Sequence, residues 1–415
     1  MDPLGVLSRR KFLIATGVAG AAAATGGASY VVAGLATPGP VSEARPRAAS
    51  AGSGAPLVVV SLYGGNDGLN TVVPATDPAY QAARPTLGYR PSEVLELEEG
   101  LYLNPKLVGL QAMFRSGLLA VVRGVGYPNP NLSHFASMDI WQSANPVDGT
   151  GPGWLGRWLD LTGSDPLRAI SVGPILPPML KGETQFATAL TAERITLPGD
   201  AAFQEAFSAM SAPGSDRPGL LGQVAASSGE LLEAKGRLDS LGAAASGPSP
   251  LGSRDLRGAL DLVASLIKAG SPTRVYQVSL SSFDTHADEK ANHENLLAIL
   301  DQALVKFFAD IAQSPGAGSD AVVMTFSEFG RRPAQNASGG TDHGAAAPLF
   351  VAGRRVAGGR FYGEEPSLTQ LDPNGNVVYN VDFRSVYATV IEDVLGFDSK
   401  DVLGSSFKNL GFIRS

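Results

Sequence analysis

Four stretches of the chain set carboxylates beside bases or amides at close spacing. "SSFDTHADEKANH" offers Asp284, His286, Asp288 and His293, "FSEFGRRP" carries Glu328 ahead of Arg331 and Arg332, "GTDHG" holds Asp342 and His343, and "LYGGNDGLNT" brings Asn66, Asp67 and Asn70. The chain has four histidines and no cysteine, so any metal must be held by nitrogen and oxygen. Neutral imidazole combined with carboxylate suits Zn²⁺, Mn²⁺ or Fe²⁺, whereas an all-oxygen set would suit Mg²⁺ or Ca²⁺. A fifth stretch, "NPNLSHFASMDIWQSA", places Ser133 where a helix should begin. A hydroxyl there is an ordinary N-cap, or else a nucleophile or an anion contact, because free backbone N–H groups point at whatever charge sits there. Asn66-Asp67-Gly68 likewise reads either as a plain turn or as a polar strand end.

These residues need elements to hold them. From Pro56 onward, strand-like and helix-like patterns alternate, which predicts an α/β fold with a mainly parallel sheet sandwiched by helices. "PLVVVSLYGG" is a β-branched apolar run of the kind buried on both faces of a sheet. "LLAVVRGV", "TRVYQVSLS", "DAVVMTFS" and "APLFVAG" predict further strands, and "RDLRGALDLVASLIKAG" and "HENLLAILDQALVKFFADIAQS" predict amphipathic helices. Phe135, Met138 and Trp141 fall at helical spacing and should share a buried face. Acids and imidazoles thus gather just past strand ends, where open α/β sheets collect their chemistry. His293 instead falls within a predicted helix, where a solvated side chain is also expected. Residues 196–250 are helical in places, broken by Pro and Gly, and read as a helical insertion.

At 415 residues, with 44% hydrophobic and 17% charged residues, the chain can bury a large core. Its formal charge of −7 leaves no basic stripe for a nucleic-acid partner. "SRRKFLIATG" pairs Arg9 and Arg10 with a Gly- and Ala-rich run that carries no charge from Phe12 to Ser42. It resembles a twin-arginine export signal, with Ile14 where that signal commonly has Lys. The run is long enough to cross a bilayer, which takes about 20 residues, but its Gly and Ala content makes it a poor span. The expected organisation is a signal over 1–36, a flexible linker over 37–55 and one α/β domain over 56–415. The mature protein would be periplasmic or secreted, with no stable membrane span.

"GGNDGLN", "SHFASMDIWQ", "FDTHADE", "FSEFGRRP" and "GTDHG", in this order behind such a signal, resemble the family of unknown function DUF1501. More distantly, that family is similar in fold to the alkaline phosphatase and sulfatase superfamily. The resemblance implies an alkaline phosphatase-like domain, with Asp67 as a metal ligand ending the first strand and Ser133 as the nucleophile. It also implies that Asp284 and His286 bind metal, although they stand closer together than the corresponding superfamily pair. His343 would be the final ligand ahead of a strand, with Asp342 beside it as a further metal ligand. Glu328-Phe329 stands where the superfamily has Asp-His, so the resemblance implies that Glu328 is kept as a metal ligand while a ligating imidazole is missing. Arg331 and Arg332 next to it either compensate by gripping an oxyanion or form surface ion pairs.

The implied activity is metal-dependent hydrolysis of a small anionic ester, phosphate or sulfate, with Ser133 and Arg331 as catalytic groups and the twin-arginine machinery as partner. The alternatives are a catalytically silent binding protein of the cell envelope on the same fold and a carbohydrate-directed esterase using His343 as base. With His286 and His343 as the only imidazoles in ligand positions, and His134 expected to face away, one ion rather than two is the expected occupancy.

Overall fold

A computed structural model describes residues 54–190, 205, 208–209, 220–240 and 255–414 of the chain. The signal, most of the linker and much of the predicted insertion lie outside these residues. Within the insertion, Leu220–Ser240 is helical.

The apolar runs do form strands. β1 (Leu57–Leu62), β2 (Leu119–Gly126), β3 (Ala169–Val172), β4 (Thr188–Leu190), β5 (Val275–Leu280), β6 (Val322–Phe326), β7 (Ala347–Ala352), β8 (Arg360–Tyr362) and β9 (Val381–Asp382) share one sheet. Its order is β8-β2-β7-β6-β1-β5-β3-β4, with β9 also on β2. β1 runs parallel to β5 and β6, β3 parallel to β4 and β5, and β8 and β9 parallel to β2. Only β7 is antiparallel to its neighbours, β2 and β6. The sheet is therefore mainly parallel, as the alternating pattern predicts. The short strands β3, β4, β8 and β9 are not among those the sequence predicts.

Strand alternation divides the core into two layers. Val58, Val60 and Leu62 face one layer, with Tyr276 and Val278 of β5 and the helices α2 (Leu256–Lys268) and α3 (Glu289–Ile311). Leu57 and Val59 face the other, where Trp141, Trp154, Trp158 and Tyr387 pack. Trp141 belongs to helix α1 (His134–Ser143), which buries Met138 and Trp141 as expected. Phe135 departs from the expected buried stripe and is 85% exposed. It stands in the first turn, ahead of the part of the helix that reaches the sheet.

With the sheet central and parallel, the C-terminal ends of β1, β2, β5 and β6 open on one edge. β7, being antiparallel, starts there. Each of the chemistry-bearing stretches follows one of those ends or precedes β7.

Candidate metal centre

Two glycines let these loops close on one another. Gly64 and Gly65 end β1 with φ of 117° and 73°, in the left-handed region that L side chains avoid. A Cβ on Gly64 would lie 2.5 Å from the Asp284 nitrogen, and one on Gly65 would lie 2.4 Å from the Phe329 ring. The loop after β5 is itself tense, since Ser282 and Asp288 bracket Asp284 and His286 with φ of 85° and 47°.

Three imidazoles and a carboxylate meet in this space. His134 Nε2 is 3.3 Å from Asp284 Oδ2, and His343 Nε2 and His286 Nε2 are 3.2 and 3.0 Å from Asp284 Oδ1. The two imidazole nitrogens of His286 and His343 are 3.0 Å apart. Ligand atoms of His134, Asp284 and His343 all lie within 4.8 Å of one another. His134 is the member that sequence reasoning missed: the helix turns its ring inward, against the expectation that it faces away.

The hydrogen bonds behind these rings fix their tautomers. His343 Nδ1 donates to the Leu132 carbonyl at 2.8 Å, which leaves Nε2 as a lone pair. His134 Nδ1 donates to Glu328 Oε1 at 2.8 Å, an oxygen that also accepts from the Gly64 N–H at 2.9 Å. In the neutral ring His134 Nε2 is then also a lone pair, buried and 3.3 Å from Asp284 Oδ2. Acceptor against acceptor is repulsive unless a proton or a metal cation sits between them, and a ring backed by a carboxylate or carbonyl is the usual support of a metal-bound histidine. The donor set therefore fits a divalent ion on His134, Asp284 and His343, with His286 at its edge. The charge states agree. Burial, which outweighs the Leu132 bond, lowers His343 and keeps it neutral near pH 7. Burial would raise Asp284, but the Arg331 hydrogen bond leads the opposing effects, which hold it down at about 2.

Other predicted site residues have different work. Glu328 is 1% exposed and acts from behind His134. Asp342 is exposed, with Oδ1 3.6 Å from His286 Nδ1 at the outer rim. Asp67 departs from the ligand role expected of it: it is wholly buried and both its oxygens are taken by Arg84, at 2.5 Å from Nη1 and 2.9 Å from Nη2. Arg331 is neither a free fork nor a surface ion pair. It is 1% exposed and donates to the carbonyls of Gly64, Gly65, Phe283 and Thr341 and to Asp284 Oδ1, stapling three loops together. Phe329, where an imidazole was missed, packs its ring 4.9 Å from His134 and 4.6 Å from His343. His293 is not solvated; it is 1% exposed, with Nε2 2.8 Å from Asn66 Oδ1.

Ser133 stands at the rim between two anchored residues, Leu132 and His134. Its side chain makes no capping bond although it is the N-cap, and it is exposed. The hydroxyl and the first N–H groups of the helix remain available to an anion.

The sequence profile of the family described as "Protein of unknown function (DUF1501)" matches residues 108–407. The chain belongs to this family. Comparison with curated proteins gives no match. Among solved structures, this DUF1501 protein is similar to an alkaline phosphatase superfamily protein from Vibrio parahaemolyticus, at 11% identity and TM-score 0.42, covering 88% of this chain and 71% of that one. It is also similar to the C-terminal periplasmic domain of EcEptC from Escherichia coli, at 11% identity and TM-score 0.40, over 85% and 86% of the two chains. The lipoteichoic acid synthase LtaP from Listeria monocytogenes follows at 12% identity and TM-score 0.36, over 86% and 77%.

Proposed function

We propose that this DUF1501 protein is an exported, metal-dependent hydrolase of phosphate or sulfate esters. The observation that carries the reading is the pair of tautomer-fixed lone pairs on His134 and His343 facing Asp284, beside an uncapped serine at a helix N-terminus. The ion, of Zn²⁺, Mn²⁺ or Fe²⁺ type, supplies Lewis acidity toward an ester oxygen. The chain's own residues do the rest. Glu328 and the Leu132 carbonyl hold two rings in ligand orientation, Arg331 holds Asp284, and the N–H groups at the start of the helix attract the anionic group. Ser133 presents its hydroxyl as the nucleophile.

Turnover of a panel of aryl phosphates and aryl sulfates, with and without added Mn²⁺ or Zn²⁺, tests the reading. Metal-stimulated release that is lost in Ser133→Ala, with metal still bound, is the expected result. The second reading is a metal-holding but silent binding protein of the cell envelope, favoured by an Arg331 fork already spent on loop carbonyls. No turnover across the panel by the metal-loaded protein would move the assignment there.

A further inference from the structure

Tyr127 directly follows β2 and leads into the loop that carries Leu132, Ser133 and His134. Its ring is 1% exposed and packs edge-on against Phe383, with 5.8 Å between centroids. The hydroxyl meets partners from two elements. The Asn131 N–H donates to it at 3.0 Å, and Ser137 Oγ of α1 stands 2.7 Å away. Ser137, itself buried, donates to the Glu328 carbonyl at 2.5 Å.

The two ends of this chain decide its direction. An amide N–H can only donate and a carbonyl can only accept, so Ser137 spends its one proton on Glu328 and must accept from Tyr127. The Tyr127 proton therefore goes to Ser137, and the Asn131 carbonyl, 3.3 Å from the phenol oxygen, receives none. Burial outweighs these bonds and raises the phenol pKa, so the proton that the chain needs stays in place. Each group is satisfied in one way only, and linked hydrogen bonds of this kind strengthen one another. Asn131 also accepts the Ser133 N–H on its side chain at 2.9 Å, which makes Asn131 to Ser133 one anchored turn.

Both ends lead to the centre. Asn131 precedes Leu132, whose carbonyl accepts from His343 Nδ1, and Glu328 accepts from His134 Nδ1. The groups that orient these two rings stand after different strands, β2 and β6, yet share one buried tie.

We infer that Tyr127 and Ser137 are positioning residues of the metal centre: their hydroxyls, linked in one chain, set where the Leu132 carbonyl meets His343 and where Glu328 meets His134. Tyr127 governs the loop end and Ser137 the strand end, and neither touches the ion or the ester. The inference rests on the proposed centre for its consequence, but its geometry can be read on metal-free protein.

The test uses imidazole nitrogen NMR shifts, which tell a proton-bearing nitrogen from a bare one, in the metal-free full chain at mildly alkaline pH. In the native protein the His343 proton is expected on Nδ1. Tyr127→Phe keeps the packed ring and removes the link to Asn131, so His343 should divide its proton between both nitrogens. Tyr387→Phe is the matched control. It is likewise buried, packs on the same Phe383 at 5.1 Å, and loses a hydroxyl bond of 3.0 Å to the Trp141 carbonyl, toward the far end of α1. It should lose a similar amount of urea stability and leave His343 unchanged. Ser137→Ala should disturb His134 and spare His343. With metal, competition against a chelator should show affinity lowered by about tenfold in Tyr127→Phe, the lower end of what loss of a ligand's support costs, and unchanged in Tyr387→Phe. His343 unchanged in Tyr127→Phe, or disturbed equally in Tyr387→Phe, would overturn the assignment. Should Tyr127→Phe fail to fold, an undisturbed His134 in Ser137→Ala would do the same. A native protein that binds no metal would count against the proposed function, and the metal-free shifts would still decide this inference.

Discussion

At the scale of single residues, the centre turns on which nitrogen of each ring carries a proton. Glu328 and the Leu132 carbonyl back His134 and His343, so in the proposed centre Glu328 positions a ligand rather than serving as one. Glu328→Gln should retain the fold and weaken metal affinity by about 10–100-fold, the usual effect of losing such a backing carboxylate. Competition with a chelator of known affinity reads this directly, and unchanged affinity would remove Glu328 from the centre. The occupancy follows from the same inventory. Three imidazoles and Asp284 make one site, Phe329 fills the space beside them, and Asp67 is held by Arg84. Elemental analysis of protein purified without chelator should find one equivalent of metal, and His134→Ala and His343→Ala should each lower it. Two tightly bound equivalents would sink the single-ion reading. Asp284, His286 and His343 were legible in the sequence because acids and imidazoles stood just past strands. His134 was not, because spacing alone does not say to which side the first residue of a helix turns its ring.

At the scale of elements, the loop after β1 is fastened to α3 and to the segment around Arg84 by buried polar groups that no short motif announces. Arg84 sits in an ordinary "AARPT", seventeen positions from Asp67, and their pairing became visible only when the chain folded. Breaking a buried pair strands a charge, so Arg84→Ala should cost about 3–5 kcal/mol of stability. Arg84→Lys should restore only part of it, because an ammonium cannot match the two-pronged grip. Urea unfolding of both variants reads the difference. His293 on α3 gives this region a pH dependence. Burial pushes its pKa down to about 4 from 6.5, so the folded state refuses a proton that the unfolded chain accepts. Its contribution is full above pH 6.5 and is lost as the pH falls toward 4, a total of about 3 kcal/mol. His293→Gln should flatten the loss of urea stability between pH 7 and pH 5; an equally steep loss in that variant would show that other groups carry it.

At the scale of the whole molecule, the parallel sheet was readable because strands buried on both faces leave unbroken β-branched runs, as Val58, Val59 and Val60 show. β3 and β4 escaped notice because four and three residues carry too little pattern to separate from loop. The exposed Phe135 escaped because helical spacing predicts a stripe but not where the sheet ends beneath it. The centre takes its groups from strand ends far apart in sequence: Gly64 after β1, His134 after β2, Asp284 after β5, Glu328 after β6 and His343 before β7. No piece of the chain can assemble it early, so an ion at the proposed centre would need the finished fold. Among the described residues no helix is long and apolar enough to cross a membrane. A protein that would load an ion only once folded is suited to a route that exports folded cargo, which is the route that Arg9 and Arg10 resemble. Replacing both with Lys should leave the precursor inside the cell while the domain still folds and still binds its one equivalent of metal. Cell fractionation with metal analysis of the retained protein checks both halves. Undiminished export of that variant would remove the twin-arginine reading, and a retained protein unable to hold metal would show that loading depends on the compartment rather than on the fold.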